Sequence, residues 1–229
     1  MEEQKKELDL GAINFVGMDD NEYVRQETTK QQIYLHHTAG NTSGVRCIQH
    51  WNNDKRGRVA TCVVISGLDP ALSKNGEICQ AFSSKYWAYH LGVRSEIFKA
   101  VGVPYKLLDK NSIGVEICNW GYLTQKGDKF YNYVGGLVPK DEVTELEKSY
   151  KGKTYWHRYT DEQIESVRQL LVFWNERYNI PITYNECDMW ELSKGALRGE
   201  AGLYSHNSVR PDKLDIYPCP RMIKMLKQL

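Results

Sequence analysis

This sequence of 229 residues contains no run of about 18 apolar residues, so no membrane-crossing helix is expected and no membrane insertion. It has no surplus of positive charge, since 30 basic residues stand against 29 acidic ones and the formal net charge is +1. A protein held on DNA or RNA by phosphate neutralisation wants a basic excess, so nucleic acid is not an expected partner. It has no CxxC pair, although six cysteines are present: Cys47, Cys62, Cys79, Cys118, Cys187 and Cys219. A chain of this length buries a core without covalent staples, and the cysteines read as free thiols. Cys62, Cys79 and Cys118 fall in apolar, strand-like runs, where a thiol packs as a small hydrophobe. The opening stretch MEEQKKELDLGAINF is charged and lacks the apolar segment of a secretory leader, so synthesis in the cytoplasm is expected. No internal repeat and no low-complexity tract is visible.

What is present is enough for one globular domain: 41% hydrophobic and 26% charged residues. Residues 1–30 are polar and weakly patterned and read as a partly ordered N-terminal extension, leaving 31–229 as the domain. Gln32–His37 predicts a strand running into the loop Thr38–Gly44. Val45, Ile48 and Trp51 then lie at helical spacing. Val59–Ile65 is a near-continuous apolar run and predicts a buried strand. Lys74-Asn75-Gly76 marks a turn, with Glu77–Phe82 as the second arm of a hairpin-like pair. Ser112–Cys118 predicts a third strand. Residues 119–159 are rich in Gly, Lys and Tyr and read as an insertion, with a hairpin around Lys126-Gly127-Asp128 and a charged stretch from Asp141 to Lys148. Thr160 with Gln163 forms a capping box ahead of the stripe Ile164, Val167, Leu170, Leu171 and Trp174, a helix ending near Asn179 before Pro181. Ile182–Tyr184 reads as a short edge strand and Pro220–Leu229 as a closing helix. Strands separated by helices predict an α/β fold, a single domain with a central mixed sheet flanked by helices.

The residues able to do chemistry sit at element ends and in one loop. Neighbours on a strand point to opposite faces, so His36 shares a face with Tyr34, while Ile33, Leu35 and His37 take the other. Ile33 and Leu35 mark the core side, which leaves His36 free to bind a metal. A paired histidine at a strand end is equally a surface or hydrogen-bonded pair. On Ser112–Cys118 the alternation puts Ser112, Gly114 and Glu116 together, opposite Ile113, Val115 and Ile117. A carboxylate in so apolar a strand needs a cation or a chemical task, unless the strand is an edge facing water. His90 follows Tyr86, Trp87 and Tyr89, which could wall a cleft. The segment Ser205–Pro220 holds His206, Asp212, Lys213 and Asp215 without helical or strand period; it is either a site loop or a solvated charged one. His50 reads as a packing or surface residue and His157 as a surface residue of the insertion.

Four stretches in order resemble the type 2 N-acetylmuramoyl-L-alanine amidases, which include phage lysozyme-type amidases and peptidoglycan recognition proteins. They are Leu35-His36-His37-Thr38-Ala39-Gly40, Trp87-Ala88-Tyr89-His90-Leu91-Gly92, Ser112-Ile113-Gly114-Val115-Glu116-Ile117, and the loop from His206 to Asp215. The second departs mildly from the family's usual Ala-Trp-His-Ala-Gly. The resemblance spans about residue 31 to the C-terminus, apart from 119–159. It implies an amidase-like or peptidoglycan-recognition-protein-like fold and a Zn²⁺ held by His36, His206 and a third ligand. Asp215, nine residues after His206 and two after Lys213, matches the family spacing; Cys219, before Pro220, is the alternative. It further implies Glu116 as general base, Lys213 as an oxyanion-stabilising group and His90 as a group that orients substrate or hydrogen-bonds the intermediate. The substrate implied is peptidoglycan or a muropeptide, cut between N-acetylmuramic acid and L-alanine. A cell-wall lytic enzyme such as a phage endolysin, hence an antimicrobial activity, is the first expectation. A cytosolic amidase recycling soluble muropeptides and a non-catalytic wall-binding module are the alternatives.

Overall fold

The computed structural model describes residues 13–40, 43–69 and 71–229. A six-stranded mixed sheet runs through it in the order β1-β4-β3-β5-β2-β11. Its strands are β1 (Ile13–Phe15), β2 (Gln32–His37), β3 (Val63–Ile65), β4 (Ile78–Gln80), β5 (Ser112–Ile117) and β11 (Gly202–Ser205). Strands β3, β5, β2 and β11 are mutually parallel where they pair, β1 pairs with β4 in parallel, and the β3–β4 pair is antiparallel. A mixed α/β domain is thus the observed class, as the alternation of strands and helices predicts.

Both faces of the sheet are covered. On one face Ile33, Leu35, Ile113 and Val115 join the buried stripe of α3 (Asp161–Tyr178) and residues of α1 (Gly44–Asn52) and α6 (Pro220–Leu226) in the main core. On the other, Tyr34, Leu91, Phe98, Leu108, Leu197 and Tyr204 form a second cluster beneath α2 (Ser95–Ala100) and α5 (Lys194–Arg198). Parallel strands buried on both faces carry little polar alternation, which is why β2 is buried at all six positions.

Helix α3 is capped as the sequence implies. Thr160 Oγ1 accepts from Gln163 N (3.2 Å), and Gln163 Oε1 accepts from Thr160 N (3.1 Å). The same Gln163 donates to the carbonyls of Cys118 (2.8 Å) and Ser66 (3.2 Å), tying the helix to the ends of two strands. Asn179 closes it in the left-handed conformation (φ 54°).

The structure departs from some expectations and adds detail to others. Ile182–Tyr184 is not a strand; Ile182 instead packs into the main core. The run Val59–Ile65 yields a strand only over Val63–Ile65, because Val59 pairs separately with Tyr89. Within 1–30, β1 joins the sheet edge and Tyr23 enters the core, although the segment's composition is polar. The loop Thr38–Gly44 falls partly outside the described residues. The charged stretch from Asp141 is a strand, β9 (Val143–Tyr150), paired with β10 (Lys153–His157). The hairpin at Lys126-Gly127-Asp128 is present as β6 (Thr124–Lys126) and β7 (Lys129–Tyr131), with β8 (Leu137–Val138) completing a three-stranded sheet. These two small sheets occupy the insertion. Helix α4 (Glu186–Trp190), α2, α5 and β11 are short elements without clear periodicity. Among the described residues no helix is long and apolar enough to cross a membrane.

Candidate active site

Three parallel strands end side by side, and each delivers one polar side chain to the same place. His36 is the penultimate residue of β2, Glu116 sits directly across from it on β5, and His206 follows β11 immediately. A crevice at the carboxyl ends of parallel strands is where α/β sheets bind ligands. Asp215 returns to this point at the end of the loop after His206. His36 Nδ1 lies 3.0 Å from His206 Nδ1 and 3.2 Å from Asp215 Oδ2, and His206 Nδ1 lies 2.7 Å from that oxygen. The side chains are 2%, 6% and 14% exposed, so water does little to relieve whatever charge they carry.

Hydrogen-bond partners behind the histidines assign their tautomers. His206 Nε2 is 2.8 Å from the Leu91 carbonyl, which only accepts, so that nitrogen carries hydrogen. Ser112 Oγ donates to the Asp109 carbonyl (3.3 Å) and accepts from His90 Nε2 (2.9 Å). His90 Nδ1 therefore accepts from His36 Nε2 at 3.0 Å. In the neutral tautomers both Nδ1 atoms present lone pairs, which face each other and a carboxylate oxygen. Burial first, and His206 second, lower His36 to a pKa of about 4, so a second proton on that ring does not fill the gap at neutral pH.

Three acceptors turned on one point ask for a cation. Two imidazole nitrogens and one carboxylate oxygen suit Zn²⁺, whose tetrahedral ligands at ~2.0–2.1 Å stand roughly 3.3 Å apart. The three atoms lie within 4.8 Å of one another, and this is the group of histidine, cysteine and acidic side chains that converges in this way among the described residues. Cys219 does not join them; it is fully buried in the main core at the start of α6.

Glu116 is half-buried, and its Oε2 is buried without a hydrogen-bond partner among the described residues. Burial, and then the charge of Asp215, push its pKa well up, partly opposed by Lys213. Lys213 and Glu116 line the same cleft as His36, His206 and Asp215, about 570 Å³ in volume. His90 reaches the cleft too, but its ring stands behind His36, at a centroid separation of 5.1 Å. Asp109 holds that segment by accepting from the backbone N–H of His90 (2.8 Å) and Leu91 (2.9 Å). Gly114 leaves room for the His90 ring: a Cβ there would lie 2.9 Å from His90 Nδ1 and 2.6 Å from Thr61 Cγ2.

The aromatic walls are not those expected. Tyr86 and Trp87 line a narrow interior space, and Tyr89 stays exposed beside Arg58. Trp51 of α1 and Trp120, Tyr122 and Tyr133 of the insertion line the cleft instead. His37 is buried against Tyr159 (Nδ1 to hydroxyl 2.8 Å). His157 is half-buried and contacts Glu142 (3.4 Å), rather than lying on the surface. Ser112, Asp109 and the Leu91 carbonyl are supporting groups that spacing could not reveal, except that Ser112 shares the face of Glu116.

A family model described as N-acetylmuramoyl-L-alanine amidase matches residues 26–218. By sequence, no curated protein matches the chain. Among solved structures, the hydrolase AmiA of Staphylococcus aureus in complex with its ligand aligns at 11% identity and a TM-score of 0.52, covering 98% of this chain and 85% of that one. The N-acetylmuramyl-L-alanine amidase AmiD of E. coli, in complex with anhydro-N-acetylmuramic acid-L-Ala-D-gamma-Glu-L-Lys, aligns at 16% and 0.49, covering 88% and 59%. A mutant endolysin from Bacillus subtilis aligns at 13% and 0.48, covering 95% and 98%. At such identities the likeness is one of fold.

Proposed function

The chain belongs to the N-acetylmuramoyl-L-alanine amidase family, and from that premise we propose that it hydrolyses the amide between the lactyl group of N-acetylmuramic acid and L-alanine in peptidoglycan. His36, His206 and Asp215 would hold one Zn²⁺. The observation that carries this reading is the convergence of His36 Nδ1, His206 Nδ1 and Asp215 Oδ2, largely buried and 2.7–3.2 Å from one another.

When bound, zinc supplies Lewis acidity, polarising a carbonyl and bringing the pKa of water toward about 7. The remaining work falls to this chain's side chains. The Glu116 carboxylate, which lines the cleft, takes a proton from the attacking water and returns it to the leaving amine. The Lys213 ammonium donates to the carbonyl oxygen as negative charge builds there, a contribution of about 3 kcal/mol for one donor. His90 acts through His36, holding its Nε2–H so that Nδ1 stays directed at the metal position; it is a positioning residue. The Leu91 carbonyl does the same for His206.

Sharing Glu116, Trp51 and Trp120 with the cleft is a groove of about 510 Å³ that Arg56, Tyr133 and Val134 also line. That room favours a substrate extended beyond the scissile bond, as in the intact wall, and so an endolysin or other wall-lytic enzyme. Purified sacculi and soluble muropeptides, digested in parallel, test this. Release of stem peptides with a new L-alanine amine from sacculi is the expected result. Cleavage of soluble fragments alone would make it a recycling amidase. Sacculi bound but left intact would make it a recognition module.

A further inference from the structure

The loop from His206 to Asp215 carries both outer metal ligands and Lys213, yet it has no strand to hold it. Arg210 ties it to the Gly92 carbonyl (2.6 Å) and Ser193 N donates to the Ser208 carbonyl (2.8 Å); a further tie, which reaches its turn and its end, comes from the insertion. Strands β9 and β10 are joined by a two-residue turn, Lys151-Gly152, with Tyr150 paired to Lys153. Both turn residues have positive φ, 49° at Lys151 and 74° at Gly152. Such turns favour Asn-Gly or Asp-Gly, and a lysine in the first position is conformationally disfavoured. This lysine has a use for that position. Its Nζ donates to the carbonyls of Lys213 (2.6 Å) and Pro211 (2.9 Å) and, in a still shorter contact, to Asn207 Oδ1. All three ammonium hydrogens therefore have an acceptor on the loop. Asn207 in turn donates to the carbonyls of Asp215 (3.1 Å) and Ile216 (3.0 Å). One ammonium thus ties the start of the loop, its turn and, through Asn207, its end.

We propose that Lys151 is a positioning residue that sets the spacing of His206, Lys213 and Asp215, and that the β9–β10 hairpin serves to deliver it. The proposal rests on the reading of His206 and Asp215 as metal ligands. Because the contacts are charge-assisted and converge on one atom, their loss loosens the loop without emptying the core. Supporting residues of this kind typically shift metal affinity 10–100-fold.

The variant Lys151→Asn separates the clamp from the turn. Asn suits the left-handed conformation, so the hairpin is retained or gains stability while the clamp is lost. Zinc affinity by chelator competition should fall about 10-fold. Amide exchange in the metal-free protein should quicken at Val209, Arg210 and Lys213, whose N–H groups are bonded within the loop. Lys153→Met, which removes the same charge from the same hairpin but from a lysine stacked over Tyr122, should leave both unchanged. Unaltered affinity and exchange in Lys151→Asn, or equal losses in Lys153→Met, would overturn the proposal. Failure of the unmodified protein to bind zinc would instead overturn the ligand reading beneath it.

Discussion

Replacing Gly114 by alanine probes how the site is built from behind. The added methyl carbon would lie 2.6 Å from Thr61 Cγ2 and 2.9 Å from His90 Nδ1, both well inside ordinary contact. Neither neighbour yields easily. Thr61 is buried and its hydroxyl is bonded to the Val63 carbonyl (2.9 Å), while His90 is held by His36, Ser112 and, through its backbone, Asp109. Overpacking of this kind costs about 1–3 kcal/mol. In a domain of this size that is a fall in melting temperature of roughly 2–12 °C, measured on the metal-free protein. The shift must also move His90 away from His36 Nε2, so zinc affinity should drop about 10–100-fold. Thermal unfolding followed by chelator competition reads both effects. A Gly114→Ala protein that melts and binds zinc like the unmodified chain would refute the claim that His90 is packed tightly behind the first ligand.

Other outcomes follow from individual groups. Glu116→Gln should retain zinc while kcat on purified sacculi falls about 10²–10⁴-fold, since proton transfer is lost but no ligand is; equal kcat would remove Glu116 from the chemistry. Tyr133→Ala, at a half-exposed wall of the groove, should raise KM for sacculi with little change in kcat, as measured by release of stem peptides. Thr160→Ala should destabilise the fold by about 0.5–2 kcal/mol in denaturant titration through loss of the α3 cap, leaving zinc affinity unchanged.

The sequence made legible those parts of the molecule governed by local pattern. The capping box at Thr160 and Gln163 and the apolar stripe behind it specify α3 by themselves. Strand alternation placed Glu116 on the face of Ser112 and Gly114, and His36 on the face of Tyr34, and the β2–β5 register then sets His36 and Glu116 side by side. The convergence of His206 and Asp215 on His36 was legible only through family resemblance, because 170 residues separate the two histidines and no local period connects them. Short elements escaped for a related reason. β1 has three residues of mixed polarity and is a strand because β4 offers it an edge. The misplaced aromatic walls show the same limit: Tyr86, Trp87 and Tyr89 adjoin His90 in sequence, but the backbone bonds to Asp109 turn only His90 toward the site. Trp120 and Tyr133 reach the cleft through the folding of the insertion, which spacing does not encode.

Metal analysis of the purified protein beside its His206→Ala variant tests the central claim most directly. About one zinc per chain in the first and none in the second is the expected result, with both proteins folded by circular dichroism. Zinc absent from both, or retained equally by the variant, would contradict a metal centre built from His36, His206 and Asp215.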